Sequence, residues 1–122
     1  LNGIIKNSIN KFKELDSNIN DLFVIVGPCI RKENYEVKIN FYEKFTNQNP
    51  QYEDFFKKIS DGKYIFDLRG FINKKISDLN IQNIENIKMD TFTAQETFYS
   101  HRRSLFNNEK DYGRCISVIL MT

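Results

Sequence analysis

The chain has 122 residues, of which 40% are hydrophobic and 14% aromatic, with eleven Phe and no Trp. This length and composition predict one globular domain over residues 1–122, and they exclude a disordered or low-complexity chain. Eighteen basic and sixteen acidic residues leave a net charge of +2, so bulk charge does not indicate a nucleic-acid or anionic-membrane partner. No apolar run approaches the roughly 18 residues that a membrane span needs.

The start of the chain and its two cysteines indicate a cytoplasmic protein. The first residue is Leu1 rather than Met, which suggests lost upstream sequence, and the opening segment shows no secretory pattern. Cys29 and Cys115 could form one disulfide, but neither belongs to a Cys-x-x-Cys pair. The single histidine completes no familiar zinc spacing with them. We therefore expect both cysteines to be reduced thiols.

The first half of the chain predicts a helix, a strand and two more helices. Apolar residues at three- and four-residue steps predict the first helix, with the stripe Leu1, Ile4, Ile5, Ile9 (or Ser8), Phe12 and Leu15. The unbroken β-branched run at residues 22–26 predicts a buried strand that ends in a sharp Gly-Pro turn. Helical spacing returns over residues 35–46, and Pro50 starts another short helix over residues 51–59.

The middle of the chain predicts a turn, a strand and a capped helix. Asp61 and Gly62 form the turn, and residues 63–66 form a brief strand. Asp67 is the predicted N-cap of a helix that runs through Leu79. The succession of helices and short strands predicts an α/β (α+β) fold, in which helices pack on a mixed β-sheet.

The last third is predicted to be mostly extended or loop. An extended stretch over residues 84–89 precedes Thr93, which could cap a short helical turn at residues 94–97. Residues 105–111 are predicted to form a polar loop. The apolar alternation over residues 114–121 predicts a closing strand.

The densest group of chemically active side chains lies at residues 97–103. It holds the only histidine, His101, followed directly by Arg102 and Arg103. Neighbouring guanidiniums repel each other, so such a pair is typical of a position opposite an anionic or planar group. The alternative is that one arginine is solvated while the other pairs with Glu96 or Asp111.

Each candidate site residue also has a purely structural explanation. Cys29 follows a strand and a turn, where α/β enzymes place nucleophiles, but we favour a turn built for geometry with a small apolar filler. His101 could act as a general acid or base or donate to phosphate, and it could equally be a plain surface donor. Thr91 and Ser100 could donate hydroxyls to a ligand or cap local turns.

Six short motifs follow one another in the order of a known family. They are Gly27-Pro28-Cys29-Ile30, Tyr35-Glu36-Val37, Phe66-Asp67-Leu68, Asp90-Thr91-Phe92-Thr93, Phe98-Tyr99-Ser100-His101-Arg102-Arg103 and Tyr112-Gly113-Arg114. Together they resemble the C-terminal half of the YfiH-like family, also called the polyphenol-oxidase or laccase-domain family and associated with purine nucleoside phosphorolysis. The resemblance spans nearly the whole chain, and the motif with the arginine pair is fairly specific.

The resemblance implies one half of a layered fold and a site that this chain alone does not complete. In the complete domain it implies phosphate attack at the ribose C1′ of a purine nucleoside, with zinc held by two histidines and a cysteine. Those ligands would lie upstream of the Gly-Pro turn, and Cys29 matches neither of the family's cysteines after that turn. We therefore expect no zinc ligand, no cofactor and no phosphorolysis in this chain.

The resemblance also assigns candidate roles and leaves a competing class of function open. The candidate substrate-binding residues are Thr91, Ser100, His101, Arg102 and Arg103, and the candidate turn near the site is Gly27, Pro28 and Cys29. In the alternative, the chain is a non-catalytic binding or self-association module, because a missing half would uncover a sheet edge or an apolar face. The expected partners are the missing N-terminal half or another copy, with purine nucleoside and phosphate in the completed domain, and neither nucleic acid nor membrane.

Overall fold

The computed structural model describes residues 3–120, which form two small sheets and the helices that pack on them. The helices are α1 (Ile4–Glu14), α2 (Ile39–Thr46), α3 (Leu68–Ser77) and α4 (His101–Phe106), and the strands are β1 (Phe23–Val26), β2 (Glu36–Lys38), β3 (Phe56–Ser60), β4 (Lys63–Phe66) and β5 (Asn83–Asn86). Short 3₁₀ turns occupy Ile19–Asp21, Lys32–Asn34 and Pro50–Phe55. This arrangement confirms the predicted α/β class. No helix in the described range is long and apolar enough to cross a bilayer.

One sheet is parallel and the other is antiparallel. β1 and β5 pair in parallel, with Val26 opposite Asn86, and the connection between them contains the rest of the sheet structure and α3. β2, β4 and β3 form an antiparallel sheet in that order. Because β1 and β5 run in the same direction, the segments that leave their carboxyl ends lie at one edge of the sheet.

Two apolar clusters form the core, and α3 contributes to both. One consists of Ile9, Val26, Ile76 and Ile81, and the other of Val37, Phe45, Phe66 and Phe71. Phe66 is 1% exposed, and its ring stacks on that of Phe56 with the centroids 4.6 Å apart. α3 therefore fixes the position of the parallel strands relative to the aromatic cluster.

Helix α3 begins as the sequence predicts. The side chain of Asp67 accepts a hydrogen bond from the backbone N–H of Gly70 at 2.8 Å, which satisfies an N–H that has no partner within the helix. The helix ends at Ser77, two residues before the predicted end at Leu79. The predicted strand at residues 63–66 is also confirmed.

Two segments that are predicted to be helical are partly strand: the first begins with β2 and the second ends with β3. Residues 36–38 form β2, so the helix predicted over residues 35–46 starts only at Ile39. Val37 is buried between exposed neighbours, and this alternation suits a strand. Residues 51–59 divide into a 3₁₀ turn and β3, which pairs with β4 through a hairpin at Gly62, where φ is +67°.

The ends of the chain differ further from the predictions. β1 confirms the strand predicted at residues 22–26, but Phe23 is 57% and Ile25 44% exposed, so one face of the strand is not buried. α4 ends at Phe106, inside the segment predicted as a polar loop. The predicted strand over residues 114–121 is wrong for residues 114–120, which carry no regular structure. Leu1 and Met121, which belong to predicted elements, lie outside the described residues.

The final segment, residues 113–120, lies on the outside of the molecule. A Cβ atom at Gly113 would overlap the ring of Tyr99, so the lack of a side chain at Gly113 lets the segment begin against that ring. Beyond this point its large apolar side chains are 77–87% exposed; they are Ile116, Val118, Ile119 and Leu120. Exposed apolar side chains of this size are typical of a surface that contacts another chain.

Candidate functional site

The Gly-Pro turn and the Asp90 motif meet at the carboxyl edge of the parallel sheet. Cys29 forms an isolated parallel bridge with Asp90, and the backbone N–H of Thr91 donates to the Cys29 carbonyl at 3.3 Å. The turn follows β1 directly, while the Asp90 segment follows β5. Two groups of candidate residues that are sixty positions apart therefore lie side by side.

Asp90 is the buried centre of this junction, with 6% of its surface exposed. Its Oδ1 accepts hydrogen bonds from the backbone N–H of Arg31 at 3.2 Å and of Phe92 at 2.9 Å. Its Oδ2 accepts from Asn34 Nδ2 at 2.6 Å and from the Thr93 hydroxyl at 3.2 Å. Burial raises the pKa of the Asp90 carboxyl, but these four hydrogen bonds lower it by more, so the pKa lies below its ordinary value. The group is therefore a carboxylate that organises the loop.

The helical turn predicted at residues 94–97 is a hydrogen-bonded turn and not a helix, and a separate turn that starts at Asp90 precedes it. The N–H of Ala94 donates to the Asp90 carbonyl at 3.0 Å, and the N–H of Thr97 donates to the Ala94 carbonyl at 3.2 Å. The Thr93 hydroxyl is a donor to the Asp90 carboxylate. The Asp90 carboxylate therefore closes the first of these turns by accepting from the backbone N–H of Phe92, and Thr93 is a donor to it instead of the predicted cap.

Arg103 holds the loop from the other side. Its Nη1 donates to the carbonyl oxygens of Thr91 at 2.9 Å and Phe92 at 2.8 Å, and its Nη2 donates to the carbonyl of Phe98. The Ser100 hydroxyl accepts from the backbone N–H of Arg103 at 3.3 Å and caps α4. Arg103 and Ser100 therefore have a structural role, because they hold the backbone of residues 91–98 against α4.

Arg102 points to a different partner, so the two guanidiniums do not compete for one position. Its Nη1 donates to the Glu36 carbonyl at 2.9 Å, and its guanidinium carbon lies 5.2 Å from the centre of the Tyr35 ring. This contact combines a hydrogen bond with cation–π attraction. Over the described part of the chain, neither arginine forms an ion pair with Glu96 or Asp111, and Asp111 lies 3.8 Å from Arg114 instead.

His101 and Cys29 contact different residues: His101 lies beside Tyr112, and Cys29 lies beside Arg69. The exposed ring of His101 lies 4.7 Å from the ring of Tyr112, measured between centroids. The Sγ of Cys29 accepts a contact from Arg69 Nη2 at 3.5 Å. Within residues 3–120 no three histidine, cysteine, aspartate or glutamate side chains are placed to hold a metal ion. The residues present therefore do not fit the zinc site that the family resemblance implies.

Arg69 is a structural residue of the site that the sequence did not reveal. Its Nη2 donates to the carbonyl oxygens of Ile87 at 2.9 Å and Met89 at 3.3 Å, in addition to the Cys29 thiol. These contacts join α3 to the segment between β5 and Asp90. No motif marks Arg69, whereas the Asp-x-x-Thr spacing of Asp90 and Thr93 is a recognisable turn signal.

Comparisons with known proteins agree on one family. A family model described as "multi-copper polyphenol oxidoreductase laccase" matches residues 1–122. The chain is 31% identical over 122 residues to a purine nucleoside phosphorylase of Rickettsia conorii, with 99% of this chain and 50% of the relative covered. It is also 31% identical over 105 residues to a purine nucleoside phosphorylase of Rickettsia prowazekii, with 85% and 43% covered. The chain thus spans about half the length of the curated relatives it matches.

A solved structure gives the same picture of the fold. The crystal structure of the Bacillus licheniformis hypothetical protein YfiH superposes with a TM-score of 0.76 and 25% sequence identity. The superposition covers 84% of this chain and 40% of that protein. The architecture described above is therefore similar to a part of a larger fold.

Proposed function

Because the chain belongs to the multi-copper polyphenol oxidoreductase laccase family, whose relatives here are YfiH-like, we propose that it supplies the C-terminal half of a purine nucleoside phosphorylase domain. The observation that carries the proposal is the match of 99% of this chain to 50% of the Rickettsia conorii phosphorylase. In the completed domain, a phosphate oxygen attacks C1′ of the ribose and the bond from C1′ to the purine base breaks. The products are ribose 1-phosphate and the free base.

The contacts support different roles for the two arginines in that domain. Arg103 donates to three backbone carbonyls, so we assign it to positioning the loop that carries Thr91. Arg102 has one hydrogen bond, to the Glu36 carbonyl, and its side chain is only partly buried, so it keeps donors for an anion. His101 is exposed beside it on the same helix and is a second candidate donor.

We propose that this chain by itself binds no zinc and needs the other half for activity. The described residues offer no set of metal ligands, and Cys29 is engaged by Arg69. Both cysteines are free thiols, which supports a cytoplasmic location. Near-neutral net charge supports a small-molecule substrate in place of nucleic acid or a membrane surface.

A chimera tests the proposal. This chain would replace the matching half of the Rickettsia conorii phosphorylase, and release of hypoxanthine from inosine would be followed with and without phosphate. We expect phosphate-dependent release that falls at least about tenfold in Arg102→Ala, while Lys13→Ala, a charge change on α1, has no effect. A folded, zinc-loaded chimera without turnover would contradict the proposal.

The alternative function is a binding or self-association module without catalysis. It is favoured by the exposed apolar side chains of residues 116–120 and by the exposed Phe23 and Ile25 on β1. Such surfaces stabilise contacts with another chain. A mass that rises with concentration, together with an inactive chimera, would support this alternative.

A further inference from the structure

The guanidinium of Arg102 lies against an aromatic ring that packs on the core. Arg102 is the second residue of α4, and its guanidinium carbon is 5.2 Å from the centre of the Tyr35 ring. Its Nη1 also donates to the carbonyl of Glu36 at 2.9 Å. Two consecutive residues, far from α4 in the chain, therefore hold one guanidinium by two contacts of different kinds.

Tyr35 itself is fixed by the apolar cluster that contains Phe66. The ring of Tyr35 packs edge-on against that of Phe66, with the centroids 5.7 Å apart, and lies 6.1 Å from the ring of Phe41. The backbone is fixed as well, because the Tyr35 carbonyl accepts from the N–H of Phe66 and the Tyr35 N–H donates to the Lys32 carbonyl, both at 3.0 Å. The ring of Tyr35 is thus a fixed surface for the guanidinium.

The contact with Tyr35 changes what Arg102 can offer to a ligand. A free arginine side chain loses rotamer freedom when it binds an anion, and this loss reduces the affinity. Arg102 is already ordered in the folded chain by Tyr35 and by the Glu36 carbonyl. Within residues 3–120, only Nη1 of Arg102 forms a hydrogen bond, so Nε and Nη2 keep their N–H groups for another acceptor.

We propose that Tyr35 is a positioning residue for Arg102, because its ring orders the free N–H groups of the guanidinium before an anion binds. The inference rests on the proposed function in one respect, since it takes phosphate as the anion that Arg102 binds in the completed domain. The attraction comes from the face of the ring and not from the phenol hydroxyl. Phenylalanine at position 35 should therefore preserve the role, whereas leucine should abolish it.

The contact can be tested on the chain itself by NMR of the arginine side chains. The current in an aromatic ring shifts protons over its face upfield, so we expect upfield Hδ and Hε signals for Arg102 in the wild type and in Tyr35→Phe. In Tyr35→Leu these signals should return to the ordinary position for arginine. The signals of Arg103, which donates to other carbonyls, should not move. Equal Arg102 signals in Tyr35→Phe and Tyr35→Leu would overturn the proposal.

Steady-state kinetics of the chimera described above test the effect on phosphate. Tyr35→Leu should raise the KM for phosphate at least about fivefold and leave the KM for inosine within about twofold, because only the anion contact is lost. Tyr35→Phe should keep both KM values within about twofold of the parent chimera. The matched control is Phe41→Leu, which removes a ring from the same cluster and should not change the KM for phosphate.

The control separates positioning from packing. An equal rise in the KM for phosphate in Tyr35→Leu and Phe41→Leu would overturn the proposal, because it would show a general loss of packing. An unchanged KM in a folded Tyr35→Leu chimera would also overturn it. Failure of the proposed function gives a different result: the parent chimera has no turnover, and the NMR comparison on the chain still decides whether Tyr35 positions Arg102.

Discussion

At the scale of single residues, the junction between the two parallel strands depends on one carboxylate. Asp90 accepts four hydrogen bonds, and two of the donors are backbone N–H groups of Arg31 and Phe92. Removing the acceptor would leave buried donors without partners, which is costlier than losing an exposed contact. The side chain thus joins the turn after β1 to the loop after β5.

Asp90→Ala should lower the free energy of unfolding by about 3 kcal/mol. The matched control is Asp111→Ala, because Asp111 is exposed and its contact with Arg114 is a surface ion pair at 3.8 Å. We expect the control to cost under about 1 kcal/mol. Urea unfolding measures both, and similar values for the two variants would contradict the assignment of Asp90.

The same carboxylate makes the free energy of unfolding depend on pH. Its pKa in the folded state lies below the ordinary value of about 3.9, so the folded state favours the charged form. The stability it contributes is complete above the ordinary pKa and is lost as the pH falls through the lower pKa of the folded state. Between pH values of about 5 and 2, the wild type should therefore lose more stability than Asp90→Asn. Parallel curves for the two proteins would show that another group is responsible.

The adjacent arginines should respond very differently to the same change. Arg103→Ala removes donors from three carbonyls and should cost about 2–3 kcal/mol of unfolding free energy. Arg102→Ala removes one bond to a carbonyl and one cation–π contact, and should cost about 1 kcal/mol. Thermal melts of the two variants compare them directly, and an equal loss would argue against the division between positioning and anion binding.

At the scale of elements, the aromatic cluster stabilises the antiparallel sheet against α2 and α3. Phe66 is almost fully buried, and its ring has neighbours on several sides, including Phe45 at 5.0 Å and Phe56 at 4.6 Å. Phe66→Ala should cost about 3–5 kcal/mol, because it removes a buried ring and leaves a cavity. Phe106→Ala is the control, since Phe106 is 77% exposed and should cost under about 1 kcal/mol.

The elements that the sequence predicted correctly are marked by residues that lie next to them in the chain, such as a helix cap or a turn. α3 has its cap at Asp67, and β4 follows directly from the Asp61-Gly62 turn. The sequence predicts helix for β2 and β3 because Val37 and Phe56 fit the helical spacing of the apolar residues around them. They are strands because they pair with β4, a contact between distant segments that periodicity does not encode.

The site was predictable to a similar extent. The motifs identified the two segments that meet, but only the fold shows that Cys29 pairs with Asp90 and that Arg103 is used by backbone carbonyls. α4 was missed although Ser100 caps it, because the helix is six residues long and its apolar positions give little periodicity. The role of Arg69 depends on tertiary contacts alone.

At the scale of the whole molecule, the proposed function predicts that further chain covers the apolar side chains of the final segment. Ile116, Val118 and Leu120 are 80–87% exposed, and such a surface stabilises contacts with another chain. Their replacement by lysine in a triple variant should leave the melting temperature nearly unchanged and abolish any growth of mass with concentration in sedimentation velocity. A triple lysine variant that still associates would place the contact elsewhere.

The most direct test of this account is an assay of the isolated chain with inosine and phosphate, combined with measurement of bound zinc. The account predicts neither hypoxanthine release nor stoichiometric zinc, because the chain spans about half the length of the phosphorylases that it matches. Sustained turnover by the isolated chain with one zinc per molecule would contradict it.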